Sequence, residues 1–328
     1  MIDVPLLIAI TTLLAGFVLL AVGSHNLVAG SASLAKRLGV PTMIIGLTII
    51  AMGTSLPELV TSVIASLHQA PNMAVGSNVG SNIANLSIVL GITALYLPLN
   101  IKSKTLKQEI PVYFIAMLLI GIFMYRQFLS RFEGLALIVC ALTYIIWIIQ
   151  QSLEKRRKEK SLEKSFQQGI NIKASRLKIT TQILLGLILL PFSSEIVIQG
   201  AIHIAEHFHI SNLIIGLTIL ALGTSLPELA TTIAAARKKE HDIIIGCLIG
   251  SNIFNMLFIL PLAAVICPIK IQNYAFFRDW GAMFMVGIIF CLIVYGVKTK
   301  NRQKITRFKG AILILAYLVY MGVLLITG

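Results

Sequence analysis

The sequence predicts an all-α polytopic membrane protein, with ten transmembrane helices in two inverted five-helix repeats and with helices 2, 3, 7 and 8 broken. Three observations lead to this prediction. Hydrophobic residues make up 57% of the 328 residues and charged residues only 12%, a composition too apolar for a soluble domain. Apolar runs recur at membrane-spanning length. The segment Ile44–Ser62 also recurs as Ile214–Thr232, at an offset of 170 residues.

Ten apolar runs are long enough to be membrane spans. They lie near residues 5–22, 40–66, 73–97, 110–126, 132–150, 180–202, 212–235, 243–267, 275–297 and 309–327. Gly, Pro or polar residues interrupt several of them, which predicts irregular helices that line a protein interior. The first run has no basic leader, so we interpret it as a span and not as a cleaved signal peptide.

The net charge of +14 follows the membrane topology. With the N-terminus placed outside, all of the 27 Lys and Arg except Arg126, Arg131, Lys270 and Arg278 fall on one side. The positive-inside rule makes that side cytoplasmic, with both termini outside and the 151–178 loop inside. We therefore expect contact with an anionic cytoplasmic leaflet and no nucleic-acid binding. Because the sequence shows no targeting or regulatory segment, we expect the location to be a prokaryotic plasma (inner) membrane.

The predicted organisation has three parts: a first repeat at 1–150, a basic cytoplasmic linker at 151–178 and a second repeat at 179–328. The linker is rich in Lys, Glu, Ser and Gln and has too little apolar sequence to fold alone. Each repeat has five spans, an odd number, so the second repeat crosses the membrane in the opposite sense. Such inverted repeats hold their site at the repeat interface near the middle of the membrane.

Each half carries Gly-Thr-Ser-Leu-Pro-Glu inside an apolar span. In the first half Thr54, Ser55 and Glu58 lie three and four residues apart, which places them on one helix face. Pro57 lacks an N–H and crowds the preceding turn, so we expect a break that leaves the carbonyls of 51–53 unpaired and able to hold an ion. The second half repeats this arrangement with Ala221, Thr224, Ser225, Pro227 and Glu228.

A second duplicated motif adds Ser81 and Asn85 in one half and Ser251 and Asn255 in the other. Each pair lies four residues apart, on one helix face. Further amides that could bridge helices are those of Asn78, Asn82 and Asn252. The combined set consists of hard oxygen donors without Cys or His, which suits Ca²⁺ and Na⁺ and not Zn²⁺. Two glutamates in a membrane need a cation or a proton.

These motifs, GTSLPE and GSNxxN, resemble those of the sodium/calcium exchangers of the cation/calcium exchanger superfamily, over essentially the whole chain. The resemblance implies that Glu58 and Glu228 are the central cation ligands. It implies that one Ca²⁺ site and overlapping Na⁺ sites are completed by Asn85, Ser55, Ser225, Thr54, Thr224, Ser81, Ser251 and the carbonyls of Ala51 and Ala221. It also implies that spans 1 and 6 slide against the rest, with Ca²⁺ and Na⁺ as substrates and no cofactor.

Asn255 departs from the pattern, because some family members, including K⁺-dependent ones, carry Asp there. Two strong charges instead of three argue against K⁺ co-transport, and the lack of glutamates in the second motif weakens a proton-exchange reading. The predicted function is therefore an electrogenic, K⁺-independent antiporter that exchanges Na⁺ for Ca²⁺ by alternating access. The alternatives are a Ca²⁺/H⁺ or other divalent-cation exchanger and, less favoured, a cation channel.

Two further sets of polar residues have weaker interpretations. His203, Glu206 and His207 match the H-x-x-E-H signature of zinc peptidases, but no soluble catalytic domain surrounds them, so we expect a polar helix end and no enzyme. A metal site there is the alternative. His25 and Glu195 occupy matching places in spans 1 and 6; we expect a structural or gating role, and His25 would make transport pH-sensitive. The oligomeric state is open, and a monomer is compatible with the sequence.

Overall fold

The computed structural model describes residues 4–162, 175–208, 221–271, 276–295, 298–299 and 302–327. Most of these residues are helical, which confirms the all-α class. The first half contains α1 (Val4–Leu38), α2 (Thr42–Ile45), π1 (Gly46–Ile50), α3 (Ala51–Thr54), α4 (Leu56–Leu67), α5 (Pro71–Ala84), π2 (Asn85–Val89), α6 (Leu90–Tyr96), β1 (Leu99–Lys102), α7 (Ser103–Tyr125), β2 (Phe128–Leu129) and α8 (Arg131–Leu162).

The second half follows a similar order within its described ranges, with one further π-helical segment and one further strand. It contains α9 (Arg176–His207), α10 (Ala221–Gly223), α11 (Leu226–Arg237), α12 (His241–Phe254), π3 (Asn255–Ile259), α13 (Leu260–Ile266), β3 (Ile269–Lys270), π4 (Phe276–Trp280), α14 (Gly281–Tyr295), β4 (Lys298–Thr299), β5 (Arg302–Ile305) and α15 (Arg307–Thr327).

The described residues contain eight helices that are long and apolar enough to cross a membrane, or nine if a bent pair is one span. That pair joins Thr42–Thr54 to Leu56–Leu67 at an angle of 46°. The predicted span near 212–235 begins in 209–220, outside the described residues. The count of ten therefore stays a prediction.

The interruptions predicted in four helices take two forms. Helix α3 ends at Thr54 and α10 ends at Gly223, and the following helices begin with Pro57 or Pro227 in their first turn. The prediction that helices 3 and 8 are broken was wrong, because the chain there stays helical and passes through the π-helical segments π2 and π3. Neither segment contains a proline, so its backbone keeps its donors and the helix widens locally instead of stopping.

Helices α1 and α9, which the 170-residue offset relates, pack along their length. Gly16 lies against Val197 and Gly30 against Ile183, so the two helices run antiparallel. A Cβ atom on Gly186 would come within 2.5 Å of the Leu27 Cβ. The glycines therefore allow a closer approach than any larger residue would.

Helix α12 lies at the centre of the protein and packs against the backbone of the α2–π1–α3 segment. A Cβ on Gly246 would lie 2.5 Å from the Met43 carbonyl oxygen, and one on Gly250 would lie 2.7 Å from the Leu47 Cα. The small-xxx-small spacing of the second half thus permits close helix contact. This contact brings the second motif of one half beside the first motif of the other.

Two small antiparallel sheets join loops outside the helices. Strand β1 pairs with β5, which also pairs with β4, and β2 pairs with β3. Each sheet connects loops that the charge pattern assigns to the same side of the membrane. Helix α8 continues to Leu162, into the predicted linker. Residues 163–174 lie outside the described residues, so the three-part division of the chain stays a prediction.

The packing of α12 generates a stability prediction. We expect Gly246→Ala to lower the free energy of unfolding by about 1–3 kcal/mol, because the new methyl group meets backbone atoms that cannot move aside cheaply. Thermal unfolding in detergent measures this effect.

The matched control is Gly322→Ala in α15, where a Cβ has no neighbour within 4 Å among the described residues. Because Ala favours helix more than Gly, this variant should melt at the temperature of the parent or slightly above it. Equal melting temperatures for Gly246→Ala and the parent would contradict the predicted close packing.

Candidate cation site

The two motif carboxylates each lie in the first turn of a helix that restarts after a break. Glu58 lies in the first turn of α4 and Glu228 in the first turn of α11. The first backbone N–H groups of a helix have no partner within the helix, and together with the helix dipole they favour negative charge at such positions. Both side chains are 0% exposed, and each lies within electrostatic range of the other. The fold thus holds two acidic groups together, away from solvent.

Hydroxyl groups related by the repeat contact the two carboxylates in the same way. Ser81 Oγ donates to Glu58 Oε1 at 3.3 Å, and Ser251 Oγ donates to Glu228 Oε1 at 3.3 Å. Ser55 Oγ, from the opposite half, also donates to Glu228 Oε1, at 3.1 Å. The half-buried Thr224 contacts Glu58 across the interface. Each carboxylate is therefore held by both halves.

The hydrogen bonding of the Ala51 carbonyl oxygen differs from the sequence prediction. This oxygen accepts the backbone N–H of Ser55 at 3.1 Å, and the hydroxyls of Thr54 and Ser251 lie 3.3 and 3.4 Å from it. The expectation that this carbonyl has no backbone partner was wrong, because the Ser55 N–H precedes Pro57 and still completes a helical turn. In the second half the Ser225 N–H donates to Leu222 O at 3.1 Å.

Four asparagines form a symmetric pair of contacts between α5–π2 and α12–π3. Asn85 Nδ2 donates to Asn252 Oδ1 at 3.0 Å, and Asn255 Nδ2 donates to Asn82 Oδ1 at 3.3 Å. The two contacts are related by the 170-residue offset. Asn252 Nδ2 also donates to Asn82 O at 3.1 Å. These contacts confirm that the additional amides bridge helices, and they fix the orientation of the Asn85 and Asn255 side chains.

The buried oxygens that have no hydrogen-bond partner among the described residues include four from the predicted cation ligands, two from each half. They are Glu58 Oε2, Glu228 Oε2, Asn85 Oδ1 and Asn255 Oδ1. Leaving buried acceptors unsatisfied costs free energy, and more so when the acceptor is charged. Carboxylate and amide oxygens of this kind are the preferred ligands of hard cations such as Ca²⁺. The Ser225 hydroxyl oxygen is likewise unpartnered.

Thr54 is joined to the same cluster by its hydroxyl group, whereas the side chain of Ala221 lies outside the described residues. Thr54 Oγ1 lies 3.4 Å from Ser251 Oγ, which links the first motif to the second. The sequence interpretation did not connect Cys247 with the site, yet its sulfur lies 3.8 Å from Thr54 Oγ1. The 170-residue offset pairs Cys247 with Ser77. Because the two residues differ, the duplication did not mark Cys247 as a site residue.

The remaining candidate residues lie apart from this cluster. The side chains of His25 and Glu195 are exposed, and Gln199 Nε2 donates to Glu195 at 2.8 Å. His203 and His207 are exposed near the end of α9, and the side chain of Glu206 is not among those that the structure describes. Among the described side chains, no group of three or more His, Cys, Asp or Glu is placed to hold a metal.

Buried acidic and polar oxygens shared by two related halves of a multi-pass helical protein are typical of membrane ion-transport proteins. The chain belongs to the sodium/calcium exchanger protein family, whose sequence profile matches residues 8–150 and, separately, 178–326. It is a multi-pass integral membrane protein of a cation antiporter family.

Related proteins match almost the full chain. Inner membrane protein YrbG of Escherichia coli is 35% identical over 97% of this chain and 97% of its own. Putative antiporter CaxA of Alkalimonas amylolytica is 36% identical over 97% and 99%. The sodium-calcium exchanger NCX_Mj, soaked with zero Na⁺ and Ca²⁺, superposes with a TM-score of 0.81 at 28% identity, over 97% of this chain and 99% of that one.

The asparagine contacts generate a prediction about affinity. Asn252→Ala removes the acceptor that orients Asn85, so we expect Ca²⁺ affinity to fall about 10-fold, as when an outer-shell partner of a metal ligand is removed. The measurement is the Ca²⁺ concentration that gives half-maximal thermal stabilisation in detergent.

Ser87→Ala provides the control, since Ser87 is buried in π2 and donates to the Ile83 carbonyl, outside the asparagine contacts. Its Ca²⁺ affinity should equal that of the parent. If Asn252→Ala also binds Ca²⁺ as the parent does, the orienting role of Asn252 is wrong.

Proposed function

We propose that this chain is a secondary active antiporter that exchanges Na⁺ for Ca²⁺ across the membrane by alternating access. The observation that carries the proposal is the set of four unpartnered buried oxygens of Glu58, Glu228, Asn85 and Asn255. The two carboxylates match the charge of one Ca²⁺. The neutral oxygens around them supply the further ligands that a six- to eight-coordinate Ca²⁺ needs.

The same site suits Na⁺ as the counter-ion, because Na⁺ is also a hard cation that oxygen ligands bind. An ionised carboxylate in mid-membrane costs about 2.5–3.5 kcal/mol on insertion scales. The site without cations should therefore be reluctant to cross the membrane, which couples the two ions. Exchange of several Na⁺ for one Ca²⁺ would move net charge, so we propose that transport is electrogenic.

Alternating access rests on two inverted halves around one site. Three observations support this arrangement. Helices α1 and α9 run antiparallel. In the two asparagine contacts the later residue of one half meets the earlier residue of the other, and the family profile matches each half once. In such transporters one bundle moves against the other around a fixed site. The α1–α9 pair, which packs through glycines, is the element we propose moves.

Relatives bear on the choice of ions and on location. Sodium/calcium exchanger MaX1 of Methanosarcina acetivorans is 29% identical over 95% of this chain, which supports Na⁺ and Ca²⁺ as substrates. The neutral Asn255 supports K⁺ independence. The inner membrane relative from Escherichia coli supports a prokaryotic inner membrane, and the basic loops support a cytoplasmic 151–178 segment with both termini outside. A Ca²⁺/H⁺ exchanger is the alternative.

Uptake of ⁴⁵Ca²⁺ into proteoliposomes tests the proposed exchange. Vesicles loaded with Na⁺ should take up Ca²⁺, whereas vesicles loaded with K⁺ or holding only a pH gradient should not, because Na⁺ is the proposed counter-ion. Uptake driven by the pH gradient alone would assign the protein as a Ca²⁺/H⁺ exchanger. Uptake indifferent to both gradients would indicate a channel.

The roles of the two carboxylates are tested in the same vesicles. Glu58→Gln and Glu228→Gln should each lower Ca²⁺ uptake by roughly 100-fold or more, since the number of ligand charges sets Ca²⁺ affinity over several decades. Glu133→Gln is the control, because that carboxylate pairs with Arg126 at 2.7 Å near the start of α8. Robust uptake by either site variant would overturn the assignment.

Asn255→Asp tests the proposed charge balance. A third carboxylate adds a negative charge that a further cation must neutralise, so the charge moved per Ca²⁺ should change. The reversal potential of exchange in vesicles with set Na⁺ and Ca²⁺ gradients measures this coupling. An unchanged reversal potential, with unfolding as in the parent, would show that residue 255 has no part in ion coupling.

A further inference from the structure

A cavity of about 590 Å³ lies between α1 and α11, and neither site carboxylate lines it. We call it the α1–α11 cavity. Its walls are mainly apolar, and its rim is polar and basic. The walls include Phe17, Ala230 and Ile233, and the rim includes His25, Arg237 and Lys238. Its volume lies within the range of ligand pockets.

The two cations on the rim interact with neutral groups. Arg237 Nε donates to the Tyr96 hydroxyl at 3.2 Å, and Lys238 Nζ donates to the His25 carbonyl at 3.0 Å. Among the described residues neither forms an ion pair within 4.0 Å. Partial burial lowers the pKa of Lys238, and the nearby Glu240 opposes this shift without cancelling it. The rim therefore carries two cationic groups that have no ion-pair partner among the described residues, although the charge of Glu240 acts on Lys238.

The duplicated fold does not require these cations. The offset of 170 residues pairs Arg237 with Leu67 and Lys238 with His68. The backbone turn that follows is the same in both halves, with φ of 59° at Gln69 and 57° at Lys239. The two basic side chains are thus a feature of one half only, on the side of the membrane that the charge pattern makes cytoplasmic.

We propose that the α1–α11 cavity binds an anionic phospholipid. Arg237 and Lys238 hold the headgroup phosphate, and an acyl chain lies along the apolar walls. Basic pockets between transmembrane helices on the cytoplasmic side are suited to such headgroups, because guanidinium and ammonium groups form charge-assisted hydrogen bonds with phosphate. A free phosphate would satisfy the rim and leave the walls empty. A zwitterionic phospholipid would fill the walls and also bring a choline cation, which the basic rim repels.

The position of the cavity links this lipid to the ion site. Helix α11 carries Glu228 at its start and Arg237 at its end, and Lys238 ties that end to the α1 backbone. A phosphate on the rim competes with the His25 carbonyl oxygen for the Lys238 ammonium group. Lipid occupancy therefore acts on the contact between α1 and the helix that carries a site carboxylate.

Native mass spectrometry of the full-length protein tests the proposal without measuring transport, so its outcome is separate from that of the exchange assay. The protein is equilibrated in micelles holding equal phosphatidylglycerol and phosphatidylcholine, and the retained lipids are counted. The parent should retain phosphatidylglycerol in preference. The double variant Arg237→Gln/Lys238→Gln should reduce this retention about 10-fold or more, because each basic group contributes to anionic lipid binding.

Two matched variants separate a bound lipid from general attraction. Lys239→Gln removes a neighbouring exposed charge that does not line the cavity, and it should retain phosphatidylglycerol as the parent does. Ala230→Trp fills the cavity while keeping both cations, and it should lose the lipid. Thermal unfolding establishes that each variant is folded.

Three results would overturn the proposal. The first is equal retention of both lipids by the parent. The second is retention of phosphatidylglycerol by Ala230→Trp, or equal loss in Lys239→Gln and the double variant, either of which would indicate surface attraction alone. The third is full displacement of the lipid by millimolar inorganic phosphate, which would assign the rim to free phosphate.

Discussion

The structure depends on the placement of two carboxylates, Glu58 and Glu228, in a buried interface of a membrane protein. Hydrocarbon cannot solvate them, so the protein must supply hydrogen bonds and leave room for a countercharge. Helix breaks before Pro57 and Pro227 provide N-termini that favour negative charge. Serine hydroxyls then satisfy one oxygen of each carboxylate and leave the other available.

The orientation of the neutral asparagine side chains must also be fixed, because an asparagine can present either its oxygen or its nitrogen to a cation. Contacts with Asn252 and Asn82 engage the Nδ2 atoms of Asn85 and Asn255, so that the Oδ1 atoms are left without partners. Both asparagines begin π-helical segments, a feature frequent at functional sites. Local backbone irregularity and amide orientation thus act together at one place.

Much of this arrangement follows from the sequence, and the reasons are physical. The duplication of GTSLPE and GSNxxN predicts which residues converge, since polar groups within spans face the protein interior. The break at Pro57 is predictable because a proline removes a donor. The π-helical form of helices 3 and 8 is not, because glycine, serine and asparagine weaken a helix without dictating how it bends. The proximity of Cys247 to Thr54 and the cavity beside Arg237 depend on packing between distant segments, which no local pattern specifies.

Calorimetric titration of the purified protein with Ca²⁺, at several fixed Na⁺ concentrations, tests the central claim most directly. One site built from two halves predicts one Ca²⁺ per chain, with an apparent affinity that falls steeply as Na⁺ rises, because several Na⁺ occupy the same oxygens. Two Ca²⁺ per chain, or an affinity that does not change with Na⁺, would contradict a single shared site between Glu58 and Glu228.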